Sequence, residues 1–204
     1  MSGDRSVRLQ PYEVALLRGG PRAAVTAAVV DLHLRGVVEA GRPGRLRTSE
    51  ASSEAAGQTP PPLPPLAEAV RAELARPTAP AELPKRPAVR GALAELVLVL
   101  RSARLLRVLP PHRSRAGRQA LEALLAEHPL PANRKDLPTD DAVLAVALHG
   151  DAALQLLVPR FALRTGLLPR TEVTDKGFHR NAPRGGGTGG HLYCGGASSC
   201  GGSY

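Results

Sequence analysis

Six arginines, Arg101, Arg104, Arg107, Arg113, Arg115 and Arg118, share a window with no acidic residue between Glu95 and Glu122. A guanidinium is a planar fork of donors that meets a phosphate through two parallel bonds. Such a cluster has the chemistry of polyanion binding, which weakens with salt because each neutralised phosphate releases counterions. The same six residues also read as a solvated helix face and loop. Arg42, Arg45 and Arg47 form a second group around Pro43-Gly44. These nine side chains are the candidate polyanion-binding residues.

The net charge of +9 from 27 basic and 18 acidic residues is unevenly spread. Residues 1–59 carry +2, residues 60–136 carry +6 and residues 137–204 carry +1. Only Lys85, Lys135 and Lys176 are lysines. An arginine excess with abundant Ala, Gly and Pro also fits a high-GC genome, so charge alone does not separate a functional surface from codon usage.

Other chemistries find weaker support. Cys194 and Cys200 with His191 are a candidate metal set, but five residues between the cysteines match zinc spacing poorly. The run Gly185 to Gly190 lacks the flanking strand, the Gly-Lys-Ser/Thr closure and the helix of a phosphate loop. His33, His112, His128, His149, His179 and His191 are scattered, none beside a motif serine or cysteine. His149, next to Gly150-Asp151, reads as a helix histidine with a local carboxylate partner rather than a catalytic base. The sequence therefore predicts no enzyme and no cofactor.

The elements that must position these residues follow from apolar spacing. Pro11 and Glu13 suit the first turn of a helix over 11–18, and Gly19-Gly20 breaks it. Pro21 opens a second helix to residue 35, with Val25, Ala28, Val29 and Leu32 as its inner stripe and Gly36 as its C-cap. Its outer faces carry Arg22, Thr26, Asp31, His33 and Arg35. Strands at 37–39 and 45–48 fold back over Arg42-Pro43-Gly44. Helix, turn, helix and hairpin is the order of a winged-helix unit, over residues 1–48. Residues 49–65 are a Pro/Ser-rich linker. Residues 66–176 form a helical unit, with helices at 66–75, 88–106, 113–127 and 140–158, and Leu93, Leu96, Val97 and Leu100 facing inward. Residues 177–204 are a Gly-rich tail too poor in apolar residues to fold. The fold class is mainly α. With aromatics at 2%, the core must be built from Leu, Val and Ala.

An offset of 68 residues superposes Arg22, Ala24, Val25, Ala28, Val29 and Leu32 on Arg90, Ala92, Leu93, Leu96, Val97 and Leu100. Val37-Val38 then falls on Leu105-Leu106, and Arg45 and Arg47 fall on Arg113 and Arg115. The helical unit thus reads as a diverged repeat of the helix–hairpin unit, or as two amphipathic helices in chance register.

The opening LQPYEVALLRGGPRAAVTAAVVDLHLRGVV resembles an uncharacterised family of actinobacterial proteins. The resemblance rests on Pro11, Glu13, Val14, Ala15, Gly19 to Arg22, and Arg35 to Val38. The block AVLAVALHGDAALQLLVPRFA and the Gly-rich, Cys-bearing tail are similar to the family's other recurring features. The resemblance implies the fold boundaries and no activity. Many of that family's members resemble membrane proteins, whereas the longest strong apolar run here, Leu96 to Leu100, is too short to span a bilayer.

The leading expectation is a non-catalytic, cytoplasmic interaction module that binds a protein partner or associates with itself. The second is nucleic-acid or other polyanion binding through the arginine-rich surface. In a winged-helix reader the second helix enters the major groove, but this one has no Asn or Gln to read bases, and aromatics for stacking are nearly absent.

Overall fold

Pro11 opens α1 (Pro11–Leu34), and the Gln10 N–H donates to Glu13 Oε2 at 2.8 Å, closing the first turn. The structure, a computed structural model, describes residues 9–49, 63–107, 113–133 and 137–168. Helix α1 does not end at Gly19-Gly20 as expected. It bends there, with Gly20 at φ 74° and ψ −164°. Only glycine reaches that conformation without strain. Pro21 lacks an N–H to place in the broken ladder and starts the next segment. The bend turns two helical segments toward each other.

The second segment of α1 is the centre of the molecule. Ala24, Val25, Ala27, Ala28, Val29, Val30 and Leu32 are all buried. Asp31, expected on an outer face, is 2% exposed. Its carboxylate accepts the Tyr12 hydroxyl proton from the first segment and the Arg35 Nε–H at 2.6 Å. A buried carboxylate needs such partners. Here Tyr12 also ties the two segments across the bend.

Gly36, with φ 75°, ends α1 and leads into β1 (Val38–Ala40), which pairs antiparallel with β2 (Leu46–Thr48). The ladder sets Val38 against Thr48, Glu39 against Arg47 and Ala40 against Leu46. It starts one residue later than expected, although Val37 still accepts the Ser49 N–H at 2.8 Å. Leu46 also exchanges both backbone bonds with Thr78. That bridge brings the chain beyond residues 50–62, which lie outside the described residues, against the hairpin.

Helix α2 (Pro65–Glu73) packs on α1 through Leu66, Ala67 and Val70. These residues belong to the same buried cluster as Val29 and Leu32, so a single core runs across both sides of the stretch 49–65. A 3₁₀ turn (Leu83–Lys85) leads to α3 (Pro87–Ser102). The expected helix over 88–106 stops early. Arg104 adopts φ 59°, and Leu105 N–H bonds back to the Leu100 carbonyl at 2.9 Å, tucking Leu105 into the core. Leu93 and Leu100 are buried as expected, but Leu96 and Val97 are only half-buried.

Leu106 bridges Arg113, but at the 68-residue offset these positions fall on Val38 and Arg45, which are not partners, since Val38 pairs with Thr48. Helix α4 (Arg115–Glu127) begins two residues later than expected, because Ser114 caps it: its hydroxyl accepts the Gly117 N–H at 2.9 Å. The expected helix over 140–158 is α5 (Thr139–His149) and α6 (Asp151–Leu157), divided at Gly150 with φ 59°. Helix α5 lies along α1 in the most extensive helix–helix contact of the fold. Pro159 opens α7 (Pro159–Thr165). The expected tail, residues 177–204, lies outside the described residues.

Candidate polyanion interface

Arg42, Arg45 and Arg47 come together as their spacing suggested. The hairpin turn is closed by Gly41 N–H to the Arg45 carbonyl (3.0 Å) and Arg45 N–H to the Arg42 carbonyl (2.9 Å). Gly44, at φ 77°, donates its N–H to the Arg164 carbonyl at 2.8 Å, which docks the turn on the end of α7. An open cleft of about 710 Å³ results, lined by Ala40, Gly41, Arg42, Arg45, Arg47, Pro77 and Arg164.

Four guanidinium groups from two elements and one turn thus face one concavity. They are not equivalent. Arg45 donates to the Pro77 carbonyl at 3.1 Å, which fixes its direction and leaves donors over. Arg47 pairs with Glu39 at 2.7 Å across the hairpin, in direct register. Both partners are well exposed, so the pair is weak. Arg42 and Arg164 are exposed. Among the described residues, no carboxylate belongs to the cleft lining. Four cations lining one cleft repel one another, and an anion placed among them relieves that repulsion.

The other six arginines are not gathered around this cleft. Arg101 is half-buried near the end of α3, and Arg104 and Arg107 are exposed on the loop after it. Arg115 and Arg118 lie in the first turn of α4, exposed. Arg113 crosses to α1, where its guanidinium donates to the Arg18 carbonyl at 2.8 Å. The window reads as a cluster in sequence but spreads over a helix end, a loop and a helix start.

Sequence reasoning missed Arg164, Arg18 and Arg22. Arg164 sits 117 positions beyond Arg47, and the packing of α7 on the hairpin, with the Gly44–Arg164 bond, brings it there. Arg18 precedes the bend of α1. Its Nε–H donates to the Ala147 carbonyl at 2.6 Å, and burial lowers its pKa from the usual guanidinium value, against the opposing pull of Asp151. A second cleft of about 550 Å³ opens there, lined in part by Arg18, Arg22, Thr26, Asp151, Gly166 and Leu167.

Two of the described histidines, His33 and His149, make packing or hydrogen-bond contacts. His33 stacks on Phe161 with ring centroids 3.7 Å apart. His149 Nε2 meets the His128 carbonyl at 2.9 Å, so its partner is a carbonyl and not the local carboxylate expected. Cys194, Cys200 and His191 lie outside the described residues. Compared with known proteins, the chain matches no family model, no curated protein and no solved structure. No helix among the described residues is long and apolar enough to cross a membrane.

Proposed function

We propose that this protein is a non-catalytic module that binds a polyanion through the hairpin cleft, acting in the cytosol. The observation that carries the reading is the convergence of Arg42, Arg45, Arg47 and Arg164 on one open cleft with no lining carboxylate among the described residues. The central helix is poorly suited to reading bases, because most of its second segment is buried. What remains is recognition by charge and by bidentate contacts, which carry little sequence information. The test is retention of labelled nucleic acid and heparin at rising salt, for the wild type and an Arg42→Glu, Arg45→Glu variant. The variant should bind at least tenfold more weakly at low salt, with a shallower salt dependence. Equal binding by both proteins would sink the reading.

A second reading, association with a protein partner or with itself, is favoured by one observation. Leu98 is 62% exposed and Val99 49% exposed on α3, amid a helix otherwise rich in apolar residues. Light scattering across a range of concentrations tests self-association, which Leu98→Lys should abolish.

A further inference from the structure

The linings of the hairpin cleft and of the cleft at the bend of α1 come within two residues of each other along the chain. Arg164 lines the first, and Gly166 and Leu167, just beyond it, line the second. Gly166 closes α7 in a left-handed turn, and a β-carbon placed there would lie 3.9 Å from the Gly44 Cα. The C-terminal end of α7 thus contributes to both linings, through Arg164 on one side and Gly166 and Leu167 on the other.

The second hollow is basic in its own right. Arg22 is exposed at the start of the second segment of α1. Arg18 is held over Gly150 by its bond to the Ala147 carbonyl. Arg113 reaches the same bend through the Arg18 carbonyl. Among the described residues, Asp151 is the one carboxylate in the lining of either cleft.

We infer that the two hollows are one track for a nucleic-acid backbone, with Arg22, which lines the second hollow, and Arg113, held beside it on the Arg18 carbonyl, as further binding residues. This rests on the hairpin-cleft reading and adds to it the class and reach of the ligand. A small anion would need only the four hairpin arginines. Two basic hollows in series match a ligand whose negative charges repeat along a line. Among the described residues, neither cleft is lined by an aromatic side chain. Base stacking is therefore not on offer, and a duplex, recognised by its phosphates, is favoured over a single strand. Contacts of this kind fix position and not sequence.

The test uses the full chain with labelled mixed-sequence DNA duplexes of about one and two helical turns, about 10 and 20 base pairs, and inorganic tripolyphosphate as a short probe. Arg22→Glu alone, and with Arg113→Glu, should lower duplex affinity about tenfold and reduce the salt slope by about one unit for each phosphate no longer neutralised. Tripolyphosphate binding, confined to the hairpin cleft, should be unchanged. Asp151→Asn should tighten duplex binding. Thermal melts identify any variant that has lost its fold, and Arg22→Glu touches an exposed side chain. If the wild type binds duplex and Arg22→Glu binds it with the same affinity and slope, the track is wrong and the hairpin-cleft reading stands. If the wild type binds neither probe, both fail. If poly-glutamate binds as tightly as duplex at matched salt, the nucleic-acid assignment is overturned.

Discussion

Gly44 and Arg164, 120 positions apart, are joined by a 2.8 Å bond from the Gly44 N–H to the Arg164 carbonyl, and on that bond the hairpin is seated against α7. The bond requires Gly44 at φ 77°. An L-residue pays about 1–2 kcal/mol there. Gly44→Ala should therefore destabilise by about 1 kcal/mol, although no atom lies within 4 Å of the added carbon. Hydrogen exchange should speed up at residues 41–48 while the second segment of α1 keeps its protection. Uniform loss of protection would show that the hairpin is not a local unit.

Glu39 is the carboxylate that competes for the cleft, through its pair with Arg47 at 2.7 Å. Glu39→Gln keeps the shape and removes the charge. Duplex affinity should rise a few-fold, since an exposed pair of this kind is worth about 0.2–1 kcal/mol. The gain should shrink at high salt, where screening has already weakened the competition. Titration at two salt concentrations measures it, and a fall in affinity would contradict the assignment.

Tyr12 is buried against Asp31, and its hydroxyl donates to that carboxylate. Burial first, and the hydrogen bond to Asp31 second, push its pKa well above the usual phenol range. The folded state thus keeps a proton that the unfolded chain releases near pH 10. Stability from this group is fully present below about pH 10 and is lost as pH rises above it. Urea melts from pH 8 to 11 should show that loss in the wild type and a smaller one in Tyr12→Phe. The difference in phenolate absorbance between the two proteins should appear only as the wild type unfolds.

Val29, fully buried at the centre of α1, tests the core. Val29→Asp puts an unpaired carboxyl among Leu, Val and Ala and should cost about 4 kcal/mol or more. Denaturant titration should place the variant at or past the edge of folding. A cost under about 1 kcal/mol would mean the helix can turn that face to water.

The stripe of Val25, Val29 and Leu32 was legible because a helix with one apolar face repeats at three and four residues. The hairpin was legible because Pro43-Gly44 offers a turn. The near-complete burial of α1 was not. A helix covered on several sides by Ala and Val has no contrast between faces, and Asp31 looks solvent-facing until Tyr12 and Arg35 are seen around it. Arg42, Arg45 and Arg47 are local, so their convergence could be read from spacing. Arg164 joins them through long-range packing of α7 on the hairpin and a backbone bond to Gly44, for which the sequence holds no periodic signal. The window from Arg101 to Arg118 misled for the converse reason: closeness in sequence was broken by the turn at Arg104 and the cap at Ser114.

Gly150 and Arg18 make the last prediction. Gly150 divides α5 from α6 at φ 59°, and a β-carbon there would meet the Arg18 guanidinium nitrogens at 2.6 Å. Gly150→Ala therefore combines two costs, a left-handed backbone and a displaced arginine. Displacing Arg18 also breaks its 2.6 Å bond to the Ala147 carbonyl at the end of α5. Arg18→Ala removes the second cost in advance. In a double-mutant cycle read by urea unfolding, Gly150→Ala should cost about 2 kcal/mol in the wild type and about 1 kcal/mol in the Arg18→Ala background. The coupling of about 1 kcal/mol is the steric part, and the remainder is backbone. Equal costs in both backgrounds would show that the arginine swings clear freely. Its place over Gly150 would then be incidental to the bend-side cleft.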